Sequence, residues 1–216
     1  MPRASQKTAA PLVPQNPTLP KLREAARVCH ACDLWKRGTQ TVFGEGSPRA
    51  RVMFVGEQPG DKEDLLGHPF VGPAGRLLDK TLIEAGVDRN QVYVTNVVKH
   101  FKWEPRGKRR IHKKPNSLEI AACRPWLDAE IEVVKPHVIV LLGASAAQAV
   151  MGSSFKVTQR RGELIPARTA PFIMATVHPS AILRAPGDET RHREIRRFTD
   201  DMKKIARVLA EQRIAA

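Results

Sequence analysis

Cysteine is scarce in this chain: 216 residues contain three, an odd number that cannot complete a disulfide framework. No apolar run approaches the ~20 residues that a bilayer span requires. The N-terminus carries no hydrophobic segment ahead of a small-residue cleavage site, so no signal peptide is expected and the protein is placed in the cytoplasm. Thiols in that compartment stay reduced, which makes metal ligation the use to test for the cysteines. Acidic residues are the other shortage, with 22 Asp and Glu against 36 Lys and Arg, a formal net charge of +14. So basic a chain suggests a polyanionic partner, nucleic acid first, against the alternative of a merely soluble basic protein. Hydrophobic residues, at 42 %, suffice for one core, and one domain acting as a monomer, with no membrane partner, is expected.

The chain divides at Pro20. Residues 1–20 are proline-rich, basic and without apolar periodicity, and read as a disordered tail. Residues 21–216 read as the folded domain. A short helix over Lys21–Leu34 puts Cys29 and Cys32 at i and i+3, on one side. Four apolar runs read as buried strands, at Val52–Val55, Gln91–Val98, Val138–Leu142 and Phe172–Val177. Between them lie a helix over Gly75–Glu84, with Leu77, Leu78, Leu82 and Ile83 as its buried stripe, and a helix opened by the Asn116/Glu119 capping-box pair and closed by Pro136. An alanine-rich helix follows the third strand, ending near Met151. Phe155–Pro166 reads as a hairpin or extended excursion, and a last helix covers 188–210. The alternation of strands and helices predicts a three-layer α/β/α domain around a mostly parallel four-stranded sheet.

In such sheets ligands bind just beyond the carboxyl ends of the strands. The first strand ends in Gly56-Glu57-Gln58-Pro59-Gly60-Asp61, a sharp polar turn, and the rigid loop Pro69-Phe70-Val71-Gly72-Pro73 presents one aromatic ring. The second strand runs into Lys99-His100 and then an irregular basic segment. Residues 99–114 hold eight Lys or Arg against the single acid Glu104. The fourth strand ends at His178-Pro179-Ser180. Cys29, Cys32 and Cys123, with His100 as a fourth donor, offer a thiolate and imidazole set for an iron–sulfur cluster or zinc. The alternatives are a core cysteine at 123 and a surface histidine at 100.

These motifs resemble a known family. GEQPG, PFVGPAGRLLD, YVTNVVK and HPSAILR, in this order and spacing, are similar to the iron–sulfur uracil-DNA glycosylases of family 4, from about Leu22 to Met202. The resemblance implies a [4Fe–4S] cluster on Cys29, Cys32, Cys123 and the residue after VVK, where the family has cysteine and this chain has His100. The segment between His100 and Cys123 is longer than in ordinary members and contains Gly107-Lys108-Arg109-Arg110-Ile111-His112. With GEQPGD, that loop looks like the UdgX branch, whose members excise uracil and then become covalently joined to the abasic sugar through the loop histidine, here His112.

By this resemblance, the partner is DNA with a single-stranded or flipped-out uracil. Asn96 reads the base, Phe70 stacks on it, and Gly56, Asp61 and Ser180 shape the pocket or touch the DNA. His178 stabilises the departing uracil anion. Glu57 stabilises positive charge at C1′, and Gln58 orients His112 through a hydrogen bond. Lys108, Arg109, Arg110 and Arg184 hold phosphates. The alternatives are an ordinary multiple-turnover glycosylase and a non-catalytic iron–sulfur protein that binds nucleic acid.

Overall fold

A computed structural model describes residues 7–214. Helix α1 (Leu19–Ala26) opens the fold, and β1 (Glu45–Gly46), β2 (Val52–Gly56), α2 (Asp61–Leu66), α3 (Pro73–Ala85) and β3 (Val92–Asn96) follow. Next come β4 (Trp103–Arg106), β5 (Arg109–His112), α4 (Ser117–Val134), β6 (Val138–Leu142), α5 (Ala144–Met151) and α6 (Val157–Arg160). The chain then forms β7 (Leu164–Pro166), β8 (Phe172–Thr176), α7 (Pro179–Leu183) and α8 (Asp188–Ile214).

The main sheet has the order β1-β3-β2-β6-β8-β7. Its inner strands β3, β2, β6 and β8 pair in parallel, and β1 and β7 cap the edges antiparallel. The four apolar runs of the sequence are therefore the four parallel strands. The sheet is six-stranded because two edge strands, of two and three residues, are too short to show any alternation. Successive side chains leave the sheet on opposite faces. Met53, Val55, Tyr93, Ile139, Leu141, Ile173 and Ala175 pack on α1, α4 and α5, while Val52, Phe54, Val92, Val94, Val140 and Met174 pack on α3, α7 and α8. The three-layer α/β/α architecture follows from that division.

Several local expectations need correction. Residues 7–20 are not a loose tail: Ala9 is fully buried in the core and its N–H donates to the Ala122 carbonyl at 2.9 Å. Residues 1–6 lie outside the described part. Helix α1 ends at Ala26, so Cys29 and Cys32 sit in the following loop, ahead of a 3-10 turn at Asp33–Lys36. Ile83 is 77 % exposed and does not belong to the buried stripe of α3. The excursion at 155–166 contains the short α6 before β7. Most consequential, the basic segment is not irregular: β4 and β5 form a separate two-stranded hairpin, with Trp103 paired to His112 and Arg106 to Arg109. Its two-residue turn depends on Gly107, whose φ of 58° suits a glycine at the first turn position.

Candidate active site

An open cleft of about 980 Å³ lies past the carboxyl ends of the parallel strands, where the sheet topology favours ligands. Its lining includes Glu57, Gln58, Asp61, Phe70, Asn96, His112, Ser145, His178, Ser180 and Arg184, which β2, β3, β5, β6, β8 and the loops beyond them bring together.

Asn96 ends β3 directly beside Gly56 of β2. It is buried, yet among the described residues no side chain or backbone group hydrogen-bonds its amide. That amide lines the cleft, so Asn96 is set to pair with something that enters it. Gly56 is required here, because a Cβ would collide with Asn96 Oδ1 and come within 3.0 Å of Phe70 Cζ. Phe70 is held in a left-handed backbone conformation with φ 59°, which a bulky residue adopts at a cost. The neighbouring Gly75 makes this possible, since any Cβ there would overlap the Phe70 carbonyl. The Phe70 ring lies nearly parallel to that of His178, 6.3 Å between centroids.

His178 is the N-cap of α7. The Ser180 N–H donates to His178 Nδ1 at 3.1 Å, and the Ser180 hydroxyl lies 2.8 Å from the same atom. Nδ1 is therefore an acceptor, and a neutral ring carries its proton on Nε2. Burial pushes the His178 pKa down to about 4, with Arg184 and His112 adding to the shift against Glu57. His178 is thus a neutral N–H donor in the cleft. Ser180 thus holds the His178 ring through both its N–H and its hydroxyl.

Glu57 lies opposite. Burial pushes its carboxyl up, but the His112 ring, the Ser145 hydroxyl and the charge on Lys114 outweigh burial and hold it below the usual carboxylate range. His112 Nε2 is 3.3 Å from Glu57 Oε1, and the imidazole is 51 % exposed. The cleft thus joins an unpaired amide, an N–H donor, a carboxylate and an imidazole.

The hairpin that carries His112 is pinned at two levels. At its base, Gln58 Nε2 donates to the carbonyls of Lys102 (3.3 Å) and Lys113 (3.0 Å), and Gln58 Oε1 accepts the Lys102 N–H at 3.0 Å. Gln58 therefore clamps together the backbone segments at the open end of the hairpin, and among the described residues it makes no bond to the His112 imidazole. Further out, Arg110 pairs with Asp61 and with the fully buried Asp64, each at 2.6 Å. The guanidinium also sits 5.5 Å over the rings of Phe101 and Trp103. Arg110 is an anchor of the hairpin and not a free phosphate contact, and Asp61 is its partner. Lys99, one of the eight cations of the basic segment, is buried and paired with Glu130 at 2.6 Å. Lys108 and Arg109 at the hairpin turn, and Arg184 on the cleft rim, are exposed.

Residues 43–203 match the uracil DNA glycosylase superfamily. The chain is 42 % identical over 169 residues to the type-4 uracil-DNA glycosylase of Thermotoga maritima, covering 78 % of this chain and 84 % of that protein. It is 40 % identical over 177 residues to the type-4 enzyme of Sulfurisphaera tokodaii, covering 78 % and 77 %. The chain belongs to the uracil-DNA glycosylase superfamily, and within it to family 4. A third type-4 enzyme, from Saccharolobus solfataricus, matches at 34 % over 206 residues, 89 % of this chain and 87 % of that protein.

Family 4 membership raises the fit of a metal centre to the thiols of this glycosylase. Among the described residues, no group of three or more His, Cys, Asp or Glu is arranged to hold a metal ion. The donor chemistry nevertheless suits thiolates. Cys29 Sγ accepts the Trp126 indole N–H at 3.3 Å, and the backbone N–H groups of Leu34 and Lys99 face Cys32 and Cys123. Burial pushes the Cys32 thiol up, and the Cys123 thiol up to about 12, while the neighbouring thiols raise both further. Thiolates so placed are costly unless a cation replaces the protons. His100 is buried, and that burial lowers its pKa to about 4. The Thr41 hydroxyl gives its proton to the Ala26 carbonyl at 2.9 Å, so His100 Nε2, 3.1 Å away, donates to Thr41. Nδ1 is left with a free lone pair.

Three participants escaped the sequence reading of this glycosylase. Ser145 and Asp64 carry no motif of their own and act through partners distant in sequence. The Lys99–Glu130 pair, bonded also to Thr95 and the Asn96 carbonyl, was hidden among cations that read as surface charge.

Proposed function

We propose that this protein excises uracil from DNA and then captures the abasic sugar covalently through His112, in the manner of the UdgX branch. The observation that carries the reading is the 3.3 Å approach of His112 Nε2 to Glu57 Oε1, at the mouth of a cleft that also contains Asn96 and His178. Asn96 offers one acceptor and two donors, which suit the N3–H and O4 of uracil and oppose the pattern of cytosine. Phe70 stacks on the flipped base. As the C1′–N1 bond breaks, its electron pair leaves with uracil, and the Nε2–H of His178 donates to O2 where the charge collects.

The sugar cation left at C1′ faces Glu57, whose carboxylate stabilises it. In capture, the Nε2–H of His112 gives its proton to Glu57, and the electron pair of that N–H bond, freed on Nε2, forms the new bond to C1′. That proton then leaves for the uracil anion or solvent. The product is a neutral N-alkylated imidazole without a leaving group, so the enzyme stops after one turnover. Lys108, Arg109 and Arg184 contribute phosphate contacts, whose loss with salt would be steep. Cys29, Cys32 and Cys123, with Nδ1 of His100, would hold a [4Fe–4S] cluster, which when bound supplies a structural tie between the loop after α1 and helix α4.

The test is a labelled oligonucleotide with one uracil, incubated with wild-type protein and with His112→Ala, then run on a denaturing gel. A shifted band stable to heat and detergent, absent in the variant, is expected. An alkali-labile product without a shifted band in the wild type would reduce the protein to an ordinary turnover glycosylase.

A further inference from the structure

A hairpin of two four-residue strands is marginal by itself and holds its shape only where other elements anchor it. Two anchors of this one, Gln58 and Arg110, act at the base and along β5. A third acts on β4. The Trp103 indole Nε1–H donates to the Arg37 carbonyl at 2.8 Å, and Arg37 Nη1 returns toward the Trp103 carbonyl at 3.5 Å. Arg37 directly follows the 3-10 turn at Asp33–Lys36, and Thr39 and Gln40, just beyond Gly38, bond to Asp64 and to the Leu65 carbonyl. The loop that receives the indole is thus itself fixed to α2.

Trp103 is the cross-strand partner of His112. Residues directly opposite on an antiparallel ribbon share a face, and the diagonal neighbour on that face is Arg110. The indole therefore stands on the same face as the imidazole, beneath the guanidinium that lies 5.5 Å over its ring. Trp103 is not among the residues that line the cleft, whereas Asn96, His178 and Phe70 are.

We propose that Trp103 is a positioning residue that sets how the sugar cation is divided between His112 and water. The inference rests on His112 being the nucleophile. By tying β4 to the Arg37 carbonyl, Trp103 fixes the height of the imidazole over C1′. Release the indole and the hairpin drifts, water reaches C1′ first, and an abasic site is released while base excision continues.

The experiment compares wild type, Trp103→Phe and Trp103→Ala, each with its cofactor as purified, on a single-uracil oligonucleotide. Free uracil, covalent adduct and alkali-labile abasic product are quantified in the same reaction. In the wild type, adduct should equal uracil released. In Trp103→Ala the abasic-to-adduct ratio should rise on the order of tenfold or more, since ~1 Å of misplacement can cost a nucleophile that much, and first-turnover uracil release should stay within about twofold. Trp103→Phe keeps a ring under Arg110 but loses the N–H, and should fall between the two; it remains informative if the alanine variant does not fold. An unchanged ratio in both variants overturns the proposal. So does a loss of uracil release in step with the adduct, which would mark Trp103 as a general structural residue. A wild type that releases uracil without adduct overturns the underlying assignment of His112 instead.

Discussion

Replacing His178 with alanine should slow uracil release by about 10²–10³-fold, the roughly 2.7–4 kcal/mol that one preorganised donor to a developing oxyanion supplies. The structure says which form of the ring does this. Nδ1 is occupied by the Ser180 N–H at 3.1 Å, so Nε2 carries the proton of the neutral ring. With the pKa pushed down to about 4 by burial, only about one ring in a thousand is cationic at pH 7. The rate of a single turnover, followed by rapid quench and release of labelled uracil, should therefore show no titration near 6.5. An inflection attributable to His178 should appear only near pH 4. The same shift has a cost in stability. The folded-state pKa lies below the ordinary value, so the unfolded chain binds the proton first as pH falls. Stability is unaffected above about 6.5 and declines by up to about 3 kcal/mol between 6.5 and 4. An acidic limb centred near 6.5 that disappears in His178→Ala would refute the assignment, because it would make the active ring one that is ordinarily solvated.

Three other substitutions probe separate parts of the account. Gln58→Ala removes three hydrogen bonds to the hairpin base and should lower adduct yield more than uracil release, measured in one reaction. Lys99→Met leaves the fully buried Glu130 without its counter-ion and should cost about 3–5 kcal/mol in denaturant unfolding, and Lys99→Met/Glu130→Leu should not restore it, because the Gly44 N–H and the Tyr93 and Thr95 hydroxyls then lose their acceptor. Gly56→Ala drives a methyl group into Asn96 Oδ1 and should abolish uracil release while the protein still unfolds cooperatively; activity near wild type would show that Asn96 does not read the base.

What the sequence revealed was local or strongly patterned. The four parallel strands are continuous apolar runs, the start of α4 is marked by a capping box present in the structure, and the turn after β2 lies where the topology favours a ligand site. What it concealed depended on partners far along the chain. Nothing near Arg110 shows that Asp61 and Asp64 neutralise it, so it read as a cation for DNA. Gln58 pointed to His112, but its bonds to two backbone segments exist only once the hairpin has formed. The hairpin itself was obscured because Pro105, Gly107 and five cations leave no alternation across residues 103–113. The apolar pattern of α1 continues past Ala26 and suggests a helix that reaches Cys29 and Cys32, but the helix ends at Ala26.

The central claim is a bond between His112 and C1′ of the sugar. Digestion of the wild-type adduct followed by mass spectrometry of the nucleotide-bearing peptide tests it most directly. The account predicts a deoxyribose-linked mass increment located on His112, with uracil absent from the adduct. An increment on Glu57, on a lysine of the hairpin or on any other residue would contradict it, as would an adduct that still retains the base.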